Sequence, residues 1–150
     1  MDLTIRTATA ADEDAALALI EELFKPPGAR APGYSSERGR EGFRAAVESP
    51  DADVLLAASD DGRLLGLASV YADIKSIRYG KRCWLQDLVV TADMRSSGIG
   101  KRLLDAATEW ARERGCTHLE LGSGIGRAGA HRFYLREGMT QGYTFQRWIG

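Results

Sequence analysis

The stretch "LQDLVVTADMRSSGIGKRLLDAA", Leu85 to Ala107, decides how the chain is read. A β-branched run ends at Val90, and Arg95-Ser96-Ser97-Gly98-Ile99-Gly100-Lys101 follows shortly after. An amphipathic helix then begins, with Ile99, Leu103, Ala107, Trp110 and Ala111 on one stripe. Gly115 stands where its stop is expected. The first turn of a helix offers backbone N–H groups without internal partners and a partial positive charge, so an anion placed there meets several donors at once. Glycine lets the backbone approach such an anion closely. Arg95 and Lys101 add charge, and the hydroxyls of Ser96 and Ser97 add donors. The loop therefore has the make-up of a phosphate holder; a plain strand-to-helix turn with solvated cations is the other reading of this stretch alone. Two phosphate motifs fail. A Walker loop requires Gly where Arg95 stands and Ser or Thr where Arg102 stands, and a dinucleotide fingerprint requires a third glycine at Leu103.

Working outward, Leu3 to Thr7 alternates as a first strand, and apolar spacing predicts a helix over Ala10 to Phe24, capped by Thr9 or Asp12. The Pro- and Gly-rich run Lys25 to Ser36 is a loop, and Ser35 or Ser36 caps a second helix reaching Glu48. Asp53 to Ser59 and Leu64 to Ile74 flank Asp60-Asp61-Gly62-Arg63 as a hairpin. Lys75 to Gly80 is a polar connection and Cys83 to Val90 a strand. After the central helix come a short strand, Thr117 to Leu121, a short helix, Ala130 to Arg136, and a final strand with alternating aromatics, Thr140 to Trp148. The order β-α-α-β-β-β-α-β-α-β, with a right-handed parallel crossover around Gly98, predicts a mixed sheet flanked by helices.

At 150 residues the chain is expected to form a single domain, residues 1–150. A net charge of −1 argues against a general nucleic-acid binder. No run approaches the ~18 apolar residues of a membrane helix, and "MDLTIRTATAAD" lacks the marks of a signal peptide. Cys83 and Cys116 lie far apart and read as thiols of a reducing compartment, so a cytoplasmic protein is expected. Two histidines and no paired cysteine motif predict no metal site.

The quoted stretch resembles the acetyl-CoA-binding motif of the Gcn5-related N-acetyltransferases (GNAT), (Arg/Gln)-x-x-Gly-x-(Gly/Ala) after a strand. "AHRFYLREGM", Ala130 to Met139, resembles that family's second signature, with some local similarity to aminoalkylphosphonate N-acetyltransferases. The resemblance implies the GNAT fold, α/β with a mostly antiparallel mixed sheet opened by a V-shaped parallel splay. It also implies acetyl-CoA as co-substrate, a primary amine as acceptor (a small molecule rather than a protein), direct attack through a tetrahedral intermediate, and a possible homodimer.

Site residues follow from the same resemblance. The strand end Leu88-Val89-Val90 would pair with the pantetheine arm, and the amides of Ser96, Ser97, Gly98, Ile99, Gly100 and Lys101, with Arg95, would hold the pyrophosphate. Arg127 stands where many relatives carry Asn, and is read as a coenzyme contact or a solvated Arg. Tyr134 would protonate the departing thiolate. Asp87 is a candidate to orient the ammonium or pass on its proton, with an ion-pair role as the alternative. Gln86 replaces an acid common at that point of the motif and leaves the base unassigned; Glu120 is a second candidate. An N–H near Leu88 would meet the oxyanion. The acceptor pocket is expected from the first two helices, the Lys25–Ser36 loop, the Lys75–Gly80 connection and the C-terminal strand, with Tyr34, Arg30, Arg38 and Lys75 as candidate lining. Trp84, Trp110 and Trp148 read as packing residues, and His118 as structural. Two other functions stay open: a coenzyme-binding module without catalysis, and a peptide or protein N-acetyltransferase.

Overall fold

The structure is a computed structural model that describes residues 2–149. Its elements are β1 (Leu3–Thr7), α1 (Glu13–Glu22), α2 (Ser36–Glu48), β2 (Ala52–Ser59), β3 (Leu64–Ser76), β4 (Gly80–Val90), α3 (Ile99–Glu113), β5 (His118–Glu120) and α4 (Ala128–Arg136). The five strands lie in the order β1-β2-β3-β4-β5. The first three pairings are antiparallel and β4–β5 is parallel, as a strand-helix-strand crossover requires.

Two cores lie on the two faces of this sheet. On one, α3 buries Ile99, Leu103, Leu104, Ala107, Trp110 and Ala111 against Leu55, Ala57, Leu65, Val70, Cys83 and Leu85. On the other, α1 and α2 bury Leu17, Leu19, Phe43 and Ala46 against Val54, Leu56, Leu67 and Val89. Strands covered on both faces lose the polar alternation of a half-exposed strand, which is why "DVLLAAS" is nearly all apolar. The predicted Ser35 cap and Gly115 stop hold, whereas no side chain caps α1. The Ser35 hydroxyl accepts from the Arg38 N–H at 3.1 Å, and Gly115 ends α3 with a left-handed φ of 72°. The Asp53 carboxylate ties α3 to the sheet, accepting from Trp110 Nε1 at 2.7 Å and from Arg114 at 3.2 Å.

Four expectations are corrected. Thr140 to Trp148 forms no strand: the sheet ends at β5, no described strand pairs with this segment, and Tyr143 and Phe145 stand in solvent. Alternation fixes the two faces of a strand but does not supply its hydrogen-bonding neighbour. Trp148 is accordingly 63% exposed and is no packing residue. Lys75 to Gly80 is not a separate connection, because β3 runs on to Ser76 and pairs with Gly80, leaving a tight exposed tip. The first helix also starts later, at Glu13, after a short turn over Ala10–Asp12.

The seat of α3 depends on a missing side chain. A Cβ on Gly66 of β3 would lie 2.8 Å from Leu103 Cδ1 and 3.0 Å from the Val89 carbonyl oxygen. Backbone lies on one side and a fully buried leucine on the other, so neither yields easily. Gly66→Ala should therefore destabilise the fold by about 1–3 kcal/mol, the usual cost of overpacking. Urea unfolding read by circular dichroism measures it; a difference below about 0.5 kcal/mol would contradict the close approach.

Candidate functional site

The site begins where β4 leaves its parallel neighbour. β4 and β5 pair only at Arg82–His118, Cys83–Leu119 and Trp84–Glu120, yet β4 continues to Val90. Beyond Trp84, the edge of β4 that faced β5 has no strand partner among the described residues. Gln86 is an extra residue in β4: Ser69 pairs with Asp87 and Val70 with Leu85. Such a bulge shifts the side-chain alternation. Leu85 packs into the α3 core, whereas Asp87 reaches the cavity on the α1/α2 face. The exposed Gln86 amide is engaged locally, its oxygen accepting from Trp84 Nε1 at 2.6 Å.

The opened strand, the loop after it and α4 enclose a cleft of about 980 Å³. It is lined by Leu88, Val89, Val90, Arg95, Ser96, Gly98, Ile99, Gly100, Lys101, Arg127 and Tyr134, so ten of the eleven predicted coenzyme-side positions and the predicted acid meet there, Ser97 excepted. The Ser97 hydroxyl instead donates to the Met94 carbonyl. Ser96 (φ 65°) and Gly98 (φ 86°) are both left-handed, a backbone shape that turns successive N–H groups toward one concavity. Gly98 is the N-cap of α3 and no side chain caps the helix, so its first amides remain available to an anion. Glycine matters differently at the two positions. Gly98 is required by its φ, whereas a Cβ on Gly100 would meet only ordinary contacts with Phe133 at 3.7 Å and Val90 at 3.9 Å. A restriction at Gly100 must come from a ligand.

Six cationic side chains line the cleft, Lys25, Arg95, Lys101, Arg127, Arg132 and Arg136, against two carboxylates, Glu22 and Glu137. Four of the cations already have internal partners, Lys25 among them, 3.2 Å from Glu22. Lys101 contacts Asp105 at 3.0 Å and Glu137 at 3.2 Å, Arg95 Nε donates to the Val90 carbonyl at 3.3 Å, and Arg127 donates to the Leu23 carbonyl at 2.7 Å. Arg127 thereby clamps the segment after α1 onto the start of α4. Arg132 and Arg136 were not foreseen; four apart on one helix, their spacing was the available signal. A polyanion with an extended arm fits this cleft on charge, on backbone donors and on the free strand edge.

The half-buried Tyr134 ring lies 5.4 Å from Phe133, and its hydroxyl makes no hydrogen bond within the described residues. Burial pushes its pKa up, so it stays protonated through neutral pH. Asp87 is not in the same cavity. It borders a separate, largely apolar space of about 250 Å³ between α1, α2 and the sheet, which Tyr34 also lines. Among the other acceptor-pocket candidates, Arg30, Arg38 and Lys75 do not line it. The Ser69 hydroxyl donates to Asp87 Oδ2 at 2.7 Å and accepts from the Asp87 N–H at 3.0 Å. Glu120 is engaged by Arg82 at 3.4 Å and His118 at 2.9 Å. Cys83 is buried, and desolvation raises its thiol to about 11, which leaves it inert.

The chain matches the acetyltransferase (GNAT) family over residues 12–139, and it belongs to that family of acyl-CoA-dependent N-acetyltransferases. It is 36% identical to an aminoalkylphosphonate N-acetyltransferase of Salmonella typhimurium over 93% of this chain and 86% of the relative. It is 45% identical to the uncharacterised N-acetyltransferase YhdJ of Bacillus subtilis over 74 residues, spanning about half of each chain (49% and 50%). Among solved structures, aminoglycoside N-acetyltransferase AAC(6')-Iy in complex with CoA superposes with a TM-score of 0.84, at 14% identity, over 99% of this chain and 95% of that one. At that identity the likeness speaks for the fold.

Burial raises the Asp87 carboxyl above its ordinary value, outweighing the opposing Ser69 hydrogen bond. A raised folded pKa means the folded state holds this proton more tightly than the unfolded one. The stability it contributes is complete below about pH 4 and is lost as pH rises through the raised value. Asp87→Asn removes that loss. The variant should melt at the same temperature as wild type at acid pH and at an equal or higher one at pH 7. Calorimetric scans at both values test this, and a lower melting temperature at pH 7 alone would reverse the sign.

Proposed function

We propose that the protein transfers acetyl from acetyl-CoA to the primary amine of a small molecule. The observation that carries this reading is the convergence, in one cleft, of an unpartnered strand edge, an uncapped helix start with two left-handed residues before it, and a surplus of cations. The pyrophosphate would rest on the amides of Ser96 to Lys101, and the pantetheine arm would lie along Leu88 to Val90. Arg132 and Arg136 add charge to the same cleft. The acetyl end then points toward Leu88 and Tyr134.

In the reaction the neutral amine nitrogen attacks the thioester carbonyl carbon, and the carbonyl electrons move to oxygen. A backbone N–H near Leu88 meets that oxyanion. Collapse re-forms the carbonyl and breaks the C–S bond. The Tyr134 hydroxyl gives its proton to the thiolate, and the proton lost from nitrogen returns to Tyr134 through solvent, giving amide and free thiol. The desolvated, protonated Tyr134 beside the cleft supports that role.

Two outcomes are expected. Gly98→Asp or Gly100→Asp places a carboxylate at the anion seat and should weaken coenzyme A binding at least about 100-fold, close to 2.7 kcal/mol. Titration calorimetry reads this directly, and unchanged affinity in a folded variant would remove the seat. Tyr134→Phe should lower kcat about 100-fold, within the usual range for a lost general acid, while sparing coenzyme affinity. Thiol release followed across pH tests it; a wild-type rate throughout would retire the assignment.

A further inference from the structure

The second cavity carries an inference about the acceptor, resting on the acetyl-transfer reading above. We propose that the acceptor is a compact amine with an apolar body and no anionic group, its ammonium seated on Asp87 in the space between α1, α2 and the sheet.

At about 250 Å³ the cavity falls just below the roughly 300–1,000 Å³ of drug-sized pockets, so its occupant is small. Its walls are aliphatic and aromatic, with Leu17, Ile20, Phe24, Phe43, Leu67 and Tyr71 among them. Asp87 is its one charged lining residue, and no Lys or Arg lines it. Arg30, whose guanidinium lies 5.0 Å over the Tyr34 ring, is outside that lining. The Asp87 carboxylate has one side-chain donor, Ser69 on Oδ2, and Oδ1 accepts from nothing within the described residues. The Tyr34 hydroxyl is buried without a partner. A carboxylate and a phenol left underused in apolar surroundings are costly unless a ligand completes them. An ammonium satisfies the first and its apolar body fills the walls. A phosphonate or carboxylate would instead lie against Asp87 with no cation to meet it.

Position supports the same reading. Asp87 borders this cavity while Leu88, the next residue, borders the acyl-carrier cleft. Phe24 borders the cavity while its neighbours Leu23 and Lys25 border the cleft. An amine held at Asp87 is thus one residue from the strand edge where the acetyl group would lie. The inference separates this chain from the aminoalkylphosphonate substrate in the name of its Salmonella relative.

The test uses the full chain, acetyl-CoA and two probes of similar size, 2-phenylethylamine and 2-aminoethylphosphonate, with thiol release as readout. The expected kcat/KM favours phenylethylamine at least about 100-fold. Asp87→Asn should raise its KM about tenfold or more, the scale of a lost buried charge contact, with coenzyme A affinity unchanged. Gly42→Leu, at a lining position where a Cβ meets nothing within 4 Å, fills the same space and should also raise KM. Equal or better turnover of the phosphonate, or an unmoved KM in both folded variants, overturns the acceptor class while leaving acetyl transfer intact. If acetyl-CoA itself fails to bind, the transfer reading falls. Calorimetry of phenylethylamine with wild type and Asp87→Asn then decides the cavity alone: heat lost in the variant supports it, and no heat with wild type overturns it.

Discussion

The structure turns on a strand that is paired on one side only. β4 holds to β3 along nearly its whole length and to β5 for three residue pairs. Backbone groups in a protein interior need partners, and an unfilled strand edge is a place where another extended chain can bind. Here the edge opens into a cleft rather than onto bulk surface, and the same strand delivers the chain directly into the start of α3. One departure from regular pairing therefore creates both halves of an elongated site, an edge for an extended arm and amides for an anion. The bulge at Gln86 adds a third consequence. By shifting the alternation, it turns Asp87 to the face opposite Leu85, so one strand borders two cavities of opposite character, at Asp87 and at Leu88.

The charge distribution follows the same geometry. The chain as a whole carries a net charge of −1, yet one cleft gathers six cations against two carboxylates. They come from the segment after α1, the loop before α3, the first turn of α3, and α4 with the residue that precedes it. Folding concentrates what composition averages away, and a low-dielectric concavity strengthens the resulting field. The other cavity is its inverse, a lone carboxylate among apolar walls.

Much of this could be read from residues alone because local rules acted without competition. The α3 stripe, its stop at Gly115, the Ser35 cap and the Gly98 loop each rest on a few adjacent positions, and the structure keeps them. The elements that differ needed distant partners. The alternation of Thr140 to Trp148 describes a strand whose neighbour no local rule supplies. Arg132 and Arg136 gain their place only because α4 folds over the anion loop. Arg127 looked like a ligand contact, and the structure also gives it a carbonyl to hold, Leu23, more than a hundred residues earlier (|i−j| = 104). Asp87 could be named as the acid candidate beside Gln86, but only the bulge, invisible in one strand's sequence, decides that Asp87 reaches the apolar cavity.

The close approach of α3 to Gly66 has a thermodynamic consequence. A helix wedged within van der Waals contact of the sheet cannot slide or tilt readily, so the turn at its tip is shaped when the chain folds rather than when a guest arrives. The entropy of arranging those donors is then lost during folding and not during association. What remains to be ordered on encounter is mainly the guest's own torsions, which favours a long, flexible carrier that can be gripped first at one end and laid down along the strand afterwards.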